Sequence, residues 1–312
     1  MTQHSTGRIT RRSALAAGAA LGAGALGASQ AMAAAPGPEA PVPSDPGLGS
    51  APEPLKLNEA VGTTAAVSCV DPYASDIGLS ILQGGGSAMD AAVAMAAALG
   101  VTEPYSCGIG GGGFLLYRDA ATGLVHTIDG RETAPMSYTE TQFTDASGAE
   151  LDFDAVVNSG LSIGVPGTPA MWALAAERFG TLPLGALLEP AEQLARRGFV
   201  VDQHFHSQTD ENAERFSRFQ ETARVFLRDG SAPELGSTFA NPDLAEVYRR
   251  LRTEGIDVFY RGDIGAAILA EANAPSTVSG QDVQGSPMTA ADLARYSPVL
   301  RAPTVSQYRG ML

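Results

Sequence analysis

The amino-acid sequence predicts a mixed α/β (α+β) fold, because helical and strand-forming segments alternate along most of its length. Two observations carry this prediction. An alanine-rich stretch with helix-capping residues covers residues 71–100, and two short apolar segments joined by a turn follow it at 114–128. The 312 residues are 44% hydrophobic, which is enough for a sizeable core.

The first predicted elements are one strand and two helices. Residues 62–69 are small and β-branched, a composition that predicts a buried strand. A helix is predicted over 72–83, with Asp71 as its N-cap and a proline in its first turn. Ser87 caps the next helix, 88–99, which is predicted to be buried on most faces because its residues are apolar nearly all round.

After these helices the sequence predicts a β-hairpin and then a mainly helical region. The hairpin strands cover 114–118 and 124–128, around a turn that ends in glycine. A further short strand is predicted at 161–165. The remaining elements are predicted helices over 168–180, 183–197, parts of 201–254, 262–272 and 289–295, and a last strand over 299–308.

The charge balance limits the classes of partner. The formal net charge is −14, and the first 33 residues contain three arginines and no acid, which leaves 17 basic and 34 acidic residues in the rest of the chain. So acidic a chain is a poor ligand for nucleic acid or anionic lipid. We therefore expect no nucleic-acid partner. No stretch after residue 35 has the length and apolarity that predict a membrane span.

The N-terminus has the composition of a targeting segment. Arg11 and Arg12 precede a weakly apolar stretch of alanine, glycine and leucine, and residues 31–33 provide small side chains for cleavage. Paired arginines before a mild apolar region indicate a twin-arginine signal peptide, here residues 1–35. We therefore expect export by the twin-arginine route to the periplasm or the extracellular space.

A spacer and a single folded region follow the signal peptide. Residues 36–56 are rich in proline, glycine and alanine and predict a disordered spacer, so the folded part is expected over 57–312. Its two cysteines, Cys69 and Cys107, are too few to frame a fold of this length. Outside the cytoplasm they could form one disulfide; two separate buried thiols are the alternative.

A glycine-rich loop, residues 108–113, separates the second helix from the hairpin. Its spacing satisfies the dinucleotide fingerprint, but that motif follows a strand and opens a helix, whereas here the order is reversed. The loop has no lysine, which excludes a Walker-type site, and we predict no cofactor. Because glycines allow close backbone approach, we interpret the loop as packed beside an active site, with Gly110, Gly111 and Gly112 as candidate supporting residues.

Arg131 is the strongest candidate for substrate binding. It follows an apolar strand that anchors its backbone, and it lies soon after the glycine loop. Asp129 and Glu132 flank it and could orient its guanidinium group. A planar guanidinium can hold a carboxylate through two parallel hydrogen bonds, which fixes the orientation of the ligand as well as its affinity. The alternative interpretation is a solvated surface arginine.

A G-x-S-x-G motif at 160–164 makes Ser162 a candidate catalytic nucleophile. In a nucleophile elbow a helix begins directly after the serine, whereas here residues 165–167 intervene. His204 and His206 lie in a polar stretch with no evident orienting acid, and no Cys/His cluster has zinc spacing. We therefore favour a structural role for the motif and predict no metal site.

Several separate motifs resemble the γ-glutamyltransferase family, and they occur in the family's order. They are GGGSAMDAAVA at 84–94, EPYSCGIGGGGF at 103–114, DGRETAP at 129–135, GVPGT at 164–168 and YRG at 308–310. The similarity runs from about residue 57 to the C-terminus. The resemblance implies an N-terminal nucleophile hydrolase fold, a four-layer αββα sandwich that this sequence contains only in part. Family members are made as a precursor that cleaves itself into a large and a small subunit.

The resemblance also implies a reaction. The family acts on glutathione and other γ-glutamyl compounds, and Arg131 matches the large-subunit arginine that binds the α-carboxylate of the γ-glutamyl group. The nucleophile is a threonine that begins the small subunit, and its own amine serves as general base. The acyl-enzyme is resolved by water or an acceptor amine, and a backbone oxyanion hole stabilises the tetrahedral intermediates.

The sequence departs from the family at the nucleophile. It contains no Thr-Thr-His-like or Thr-Ser-His-like stretch, so the nucleophile is expected beyond Leu312 and the small-subunit segment of the same precursor is the expected partner. Alone, the chain is expected not to turn over substrate. It could be a truncated gene product, a partial sequence or one half of a split enzyme.

Three functions stay open at this point. The first is an exported γ-glutamyltransferase or glutathione hydrolase, with a cephalosporin acylase or a poly-γ-glutamate depolymerase as variants within the family. The second is a non-catalytic exported binding protein on the same scaffold. The third is a serine hydrolase that uses Ser162.

Overall fold

The computed structural model describes residues 54, 56, 59–278 and 282–311. The predicted signal peptide, 1–35, and nearly all of the predicted spacer, 36–56, lie outside these residues. The α-helices of the described part are α1 (Pro72–Gln83), α2 (Ala88–Thr102), α3 (Pro104–Cys107), α4 (Phe153–Val157), α5 (Thr168–Phe179), α6 (Leu184–Arg197), α7 (Gln203–Glu211), α8 (Ala213–Phe216), α9 (Gln220–Phe226), α10 (Pro242–Glu254), α11 (Asp257–Tyr260), α12 (Asp263–Asn273) and α13 (Ala290–Arg295). Among them, none is long and apolar enough to cross a membrane.

The strands of the described part form two small antiparallel sheets. One sheet has the order β1-β2-β5, and the other pairs β3 with β4. Their bounds are β1 (Gly113–Arg118), β2 (Val125–Gly130), β3 (Phe199–Val200), β4 (Thr238–Phe239) and β5 (Val299–Arg301). Helices and strands therefore both build the fold, which confirms the mixed α/β class, although helices predominate.

Local sequence signals determine where α1 and α2 begin, as predicted. Asp71 caps α1 by accepting a 2.8 Å hydrogen bond from a backbone amide of its first turn. At the start of α2, Ser87 and Asp90 form a capping box with bonds of 2.7 and 3.1 Å. Asp90 is fully buried and also accepts a 2.6 Å bond from the Thr181 hydroxyl group. Burial alone would raise the pKa of Asp90, but the bonds from Thr181 and Ser87 outweigh it and hold the pKa below its usual range.

Helix α2 lies in the main core, packed against α1, α5 and α6. The predicted end of this helix before Gly100 is wrong, because the helix continues to Thr102. A Cβ atom at position 100 would lie 2.6 Å from the Tyr248 hydroxyl oxygen, so the glycine allows α10 to pack closely instead of ending the helix. Tyr248 is fully buried and donates a 2.8 Å hydrogen bond to the Ala97 carbonyl oxygen.

The predicted hairpin is confirmed as β1 and β2, with Gly113 opposite Gly130. One face of this hairpin packs on α5, where Ile128 is fully buried. The other face is open, and Phe114 and Leu116 are 66% and 72% exposed there. Because β1 is also an edge strand of the sheet formed by the described residues, this sheet presents both unpaired backbone groups and apolar side chains to its surroundings.

The predicted strand at 62–69 is wrong. These residues are irregular and mostly exposed, and within the described part of the chain they pair with no strand. Small β-branched residues fit a pleated surface but form a strand only where a neighbouring strand pairs with them. Both Cys69 and Cys107 are free thiols in the structure. Burial raises the pKa of the Cys107 thiol, and the nearby Glu103 carboxylate adds to the effect.

Two later predictions of strand are also corrected. At 161–165 the chain forms the end of a 3-10 turn, Gly160–Ser162, followed by a single bridge between Val165 and Thr133. The last strand covers only Val299–Arg301, because only these residues pair with β2. The predicted helices between these two segments are confirmed, with bounds that differ from the prediction by a few residues.

Candidate functional site

The glycine loop and the arginine turn line one cavity. It has a volume of about 500 Å³ and opens where α2, α3, the loop and the end of β2 meet. Its lining residues are Ala96, Leu99, Pro104, Tyr105, Ser106, Cys107, Gly108, Gly110, Gly111, Gly112, Arg131, Glu132, Thr168, Met171 and Trp172. The structure therefore brings all the predicted site residues together in this lining except Asp129.

The Arg131 side chain is held at one edge and free at the other. Its Nε atom lies 3.2 Å from Glu132 Oε2, and the side chain is 62% exposed. Glu132 Oε2 is buried and accepts no well-aligned hydrogen bond from the described residues, so the contact is an ion pair. The two Nη groups of Arg131 make no hydrogen bond within the described part of the chain. They can therefore bind a carboxylate that enters the cavity.

Asp129 stabilises the backbone beneath Arg131 and does not contact the guanidinium group. One of its oxygens accepts a 3.1 Å hydrogen bond from the Arg131 amide, and the other accepts a 2.7 Å bond from Arg301 Nε. These two donors, Arg301 first, hold the pKa of the Asp129 carboxyl below its usual range. Asp129 thus links the end of β2 to β5 and fixes the start of the arginine turn.

Three contacts hold the segment 131–136 after β2. Tyr296 donates a 2.8 Å hydrogen bond from its hydroxyl group to the Arg131 carbonyl oxygen. Thr133 forms a backbone bridge with Val165, and the Asp292 carboxylate accepts a 2.8 Å bond from the amide of residue 136. Sequence reasoning missed Tyr296 and Asp292, because no local pattern indicates that residues so distant in sequence meet this turn.

The glycine loop is anchored to the first turn of α5 through Gly111. The carbonyl oxygen of Gly111 accepts hydrogen bonds from the amides of Gly167 and Thr168, at 2.8 and 3.0 Å. These amides lie at the start of a helix, where the first backbone N–H groups have no partner within the helix. The loop therefore satisfies two such donors, and its path past the cavity is set by the position of α5.

Gly112 and Gly110 differ sharply in their surroundings. A Cβ atom at position 112 would lie 2.5 Å from the Gly130 carbonyl oxygen and 2.9 Å from the Arg131 Cα atom. A Cβ atom at position 110 would meet nothing within 4 Å in the described part of the chain. Of these two glycines, Gly112 is the one required by close packing, and it packs directly on the backbone of the arginine turn.

The G-x-S-x-G serine lies outside this cavity. Ser162 is exposed, and its hydroxyl group bonds to the backbone carbonyl oxygens of Ser159 and Val157, at 2.9 and 3.2 Å. It ends a 3-10 turn, and helix α5 begins only at Thr168. This geometry is not that of a nucleophile elbow, in which a helix follows the serine directly.

The two histidines of the H-x-H motif lie on α7 and have separate partners. His204 Nε2 lies 3.1 Å from Glu103 Oε2, and His206 Nδ1 lies 2.8 Å from the Pro233 carbonyl oxygen. Burial raises the pKa of Glu103, although the ion pair with His204 opposes the shift. Within the described residues, no group of three or more His, Cys, Asp or Glu side chains is arranged to hold a metal ion.

Comparison with known proteins identifies relatives over most of the chain. Residues 74–312 match the family model of Gamma-glutamyltranspeptidase. The glutathione hydrolase proenzyme of Bacillus subtilis (strain 168) is 37% identical over 250 residues, which are 80% of this chain and 41% of that protein. The Acylase ACY 1 proenzyme of Pseudomonas sp. (strain SE83) is 36% identical over 256 residues, 80% of this chain and 44% of that protein.

A solved structure agrees with these sequence matches. The crystal structure of Helicobacter pylori gamma-glutamyltranspeptidase superposes with a TM-score of 0.75 at 32% identity, over 81% of this chain and 69% of that chain. The chain spans about two fifths of the length of the curated relatives that it matches. The family model, the relatives and the solved structure agree, and the chain therefore belongs to the gamma-glutamyltranspeptidase family.

Proposed function

We propose that this chain is the large-subunit part of an exported γ-glutamyltransferase or glutathione hydrolase. The enzyme would cleave the γ-glutamyl amide of glutathione and transfer the γ-glutamyl group to water or to an acceptor amine. The observation that carries the proposal is the position of Arg131, which lines the cavity with one edge paired to Glu132 and the other edge free. Paired arginines in residues 1–35 support export to the periplasm or the extracellular space.

The cavity suits a small zwitterionic donor. Pockets for small molecules have volumes of about 300–1,000 Å³, and this one has about 500 Å³. The α-carboxylate of a γ-glutamyl group would accept two parallel hydrogen bonds from the Nη groups of Arg131. The glycine loop, which packs against the arginine turn, leaves room for the glutamyl backbone, because Gly110 and Gly111 carry no side chain that would fill the space.

The bond-breaking step needs a second segment. Following the family resemblance, we propose a threonine at the start of a small-subunit segment as the nucleophile and its own amine as the general base. That segment would also complete the four-layer αββα sandwich. The open face of β1 supports this part of the proposal, because Phe114 and Leu116 are exposed there on an edge strand.

Without that segment the open face is expected to promote self-association of the 312-residue chain. Replacing Phe114 and Leu116 together by threonine keeps strand propensity and removes apolar surface, so it should shift most of the chain from large species to monomer. Size-exclusion chromatography with light scattering measures the shift. A matched control replaces Phe153 and Leu235, which are 57% and 52% exposed outside the sheet. An equal response in both variants would show that the sheet face is not the cause.

The proposed activity is tested in the complete reading frame. The coding sequence after Leu312 is read, and the whole precursor is expressed and assayed for release of p-nitroaniline from γ-glutamyl-p-nitroanilide. We expect an in-frame threonine followed within two residues by histidine, cleavage of the precursor before that threonine, and release of the product. A precursor that stays intact and inactive would instead favour the non-catalytic binding protein.

An amide acylase is a second candidate, because the Acylase ACY 1 proenzyme is nearly as similar to this chain as the glutathione hydrolase proenzyme. A glutaryl amide has the same terminal carboxylate as a γ-glutamyl amide and lacks only the α-ammonium group. Both therefore fit Arg131, and the arginine alone does not separate the two functions. A kcat/KM ratio that favours glutaryl-p-nitroanilide over γ-glutamyl-p-nitroanilide would favour the acylase.

The serine hydrolase alternative predicts that Ser162 is essential. We expect the opposite: Ser162→Ala should leave kcat/KM for the γ-glutamyl donor within about twofold, because the side chain bonds only to local carbonyls. The assay is the same release of p-nitroaniline in the complete enzyme. A loss of most of the activity with an unchanged melting temperature would assign the catalytic role to this serine.

A further inference from the structure

We infer that Tyr296 is a positioning residue for Arg131, because its hydroxyl group holds the Arg131 carbonyl and so sets the direction in which the guanidinium group enters the cavity. The bond from Tyr296 Oη to the Arg131 carbonyl oxygen is 2.8 Å long and joins residues 165 positions apart. The inference rests on the proposed function of Arg131 as the carboxylate ligand.

Tyr296 is itself held in place by a second tyrosine. Its ring stacks on the ring of Tyr260, with centroids 5.8 Å apart and an interplanar angle of 8°. Tyr260 is 4% exposed, donates a 2.9 Å bond to the Pro166 carbonyl oxygen and accepts a 3.2 Å bond from the Ala170 amide. The stacked pair is thus fixed to the start of α5, the same helix end that anchors the glycine loop.

The close approach of Tyr296 to the arginine turn requires a glycine at position 167. A Cβ atom at position 167 would clash with both the Tyr296 hydroxyl oxygen and the Gly130 carbonyl group. Gly167 therefore lets the tyrosine hydroxyl reach the arginine turn, while its own amide bonds to Gly111 on the other side. The tyrosine, the arginine turn and the glycine loop meet at this one glycine.

Helix α13 holds the far end of the same segment. Asp292, which is buried on α13, accepts the 2.8 Å bond from the amide of Met136, while Tyr296 follows the last residue of that helix. Helix α13 and the residue that follows it therefore hold both ends of the segment 131–136. The arrangement restrains the backbone of Arg131, and among the described residues α13 makes no hydrogen bond or ion pair with its guanidinium group.

Tyr296 keeps the hydroxyl proton that it donates to the Arg131 carbonyl at neutral pH. Burial raises the pKa of Tyr296 to about 12, and the nearby carboxylates of Asp129 and Glu132 add to the effect. The phenol therefore stays protonated at neutral pH and keeps donating to the Arg131 carbonyl. Replacing it by phenylalanine removes this one bond and retains the stacked ring.

The first test uses the 312-residue chain with Phe114→Thr and Leu116→Thr, which are expected to keep it monomeric, and does not depend on activity. Tyr296→Phe should speed amide hydrogen exchange of residues 131–134 by about 3- to 10-fold, as expected for the loss of one neutral hydrogen bond. Tyr138→Phe is the matched control, because Tyr138 donates a 2.6 Å bond to the Leu161 carbonyl oxygen and none to Arg131. Unchanged exchange at 131–134 in the Tyr296 variant would overturn the inference.

The second test separates binding from chemistry in the complete enzyme. Tyr296→Phe should raise KM for the γ-glutamyl donor about 3- to 10-fold with kcat within about twofold, and should leave a 4-aminobutyryl donor, which lacks the carboxylate, unaffected. Equal losses with both donors would assign Tyr296 a merely structural role. If Arg131→Ala raises KM and Tyr296→Phe does not, only this inference is wrong; if Arg131→Ala has no effect, the proposed function is wrong.

Discussion

Replacing Arg131 by alanine is expected to lower kcat/KM for γ-glutamyl donors by about 10- to 150-fold in the complete enzyme, because a charged hydrogen-bond pair is worth about 1.5–3 kcal/mol. Most of the loss should appear as a higher KM, since the carboxylate is bound before and during the reaction. Lysine at this position should restore only part of the affinity, because an ammonium group cannot form two parallel bonds.

The same substitution should leave the fold nearly unchanged. The Arg131 side chain is 62% exposed, so solvent screens its side of the ion pair with Glu132, and only a small loss of stability is expected although the buried Glu132 Oε2 loses this partner. Arg224→Ala is the matched control, because Arg224 is 56% exposed, pairs with Glu221 and Asp243 and lies outside the cavity lining. Initial-rate kinetics and thermal unfolding of both variants make the comparison. A change in kcat/KM below about threefold for Arg131→Ala would remove this residue from the binding site.

The second large effect is expected at Gly112. A methyl group there would press on the Gly130 carbonyl oxygen and the Arg131 Cα atom, which are backbone atoms and cannot rotate away. We expect Gly112→Ala to lower the free energy of unfolding by about 1–3 kcal/mol. Because the displaced backbone carries Arg131, the KM for the γ-glutamyl donor should rise as well.

Gly110→Ala provides the control within the same loop. A methyl group at position 110 meets open space, so its effect on the free energy of unfolding should stay within about 0.5 kcal/mol. Chemical denaturation of the 312-residue chain that carries Phe114→Thr and Leu116→Thr measures stability, and the donor assay of the complete enzyme measures KM. Equal stabilities for the two variants would contradict the packing argument. This result would mean that the loop can shift away from β2.

Helix starts were predictable from sequence because their causes are local. Asp71 and Ser87 accept hydrogen bonds from amides three residues later, so both partners of each bond can be read from one short stretch of sequence. The hairpin was predictable for the same reason, since the turn that ends in Gly123 directly joins the two strands that pair. The continuation of α2 past Gly100 to Thr102 was not predictable, because Tyr248, on a distant helix, is what requires glycine at that position.

Of the candidate site, only part of the cavity lining was predictable from the sequence. Arg131, Glu132 and the glycine loop are close in sequence, and the structure brings them into one cavity lining. The groups behind them could not be inferred, because Tyr296 and Asp292 follow by more than 150 residues and no sequence period links them to the arginine turn. The different roles of Gly110 and Gly112 also depend on the path of β2, which composition does not reveal.

Arg131 lies early in the chain, whereas three groups that fix its surroundings, Asp292, Tyr296 and Arg301, come much later. A ribosome synthesises the chain from its N-terminus, so the arginine emerges long before these partners do. A nascent chain that stalls before residue 289 would therefore display a loosely held cation beside an unfinished cavity. The surroundings of Arg131 that we propose for donor binding are therefore complete only after translation has passed residue 301.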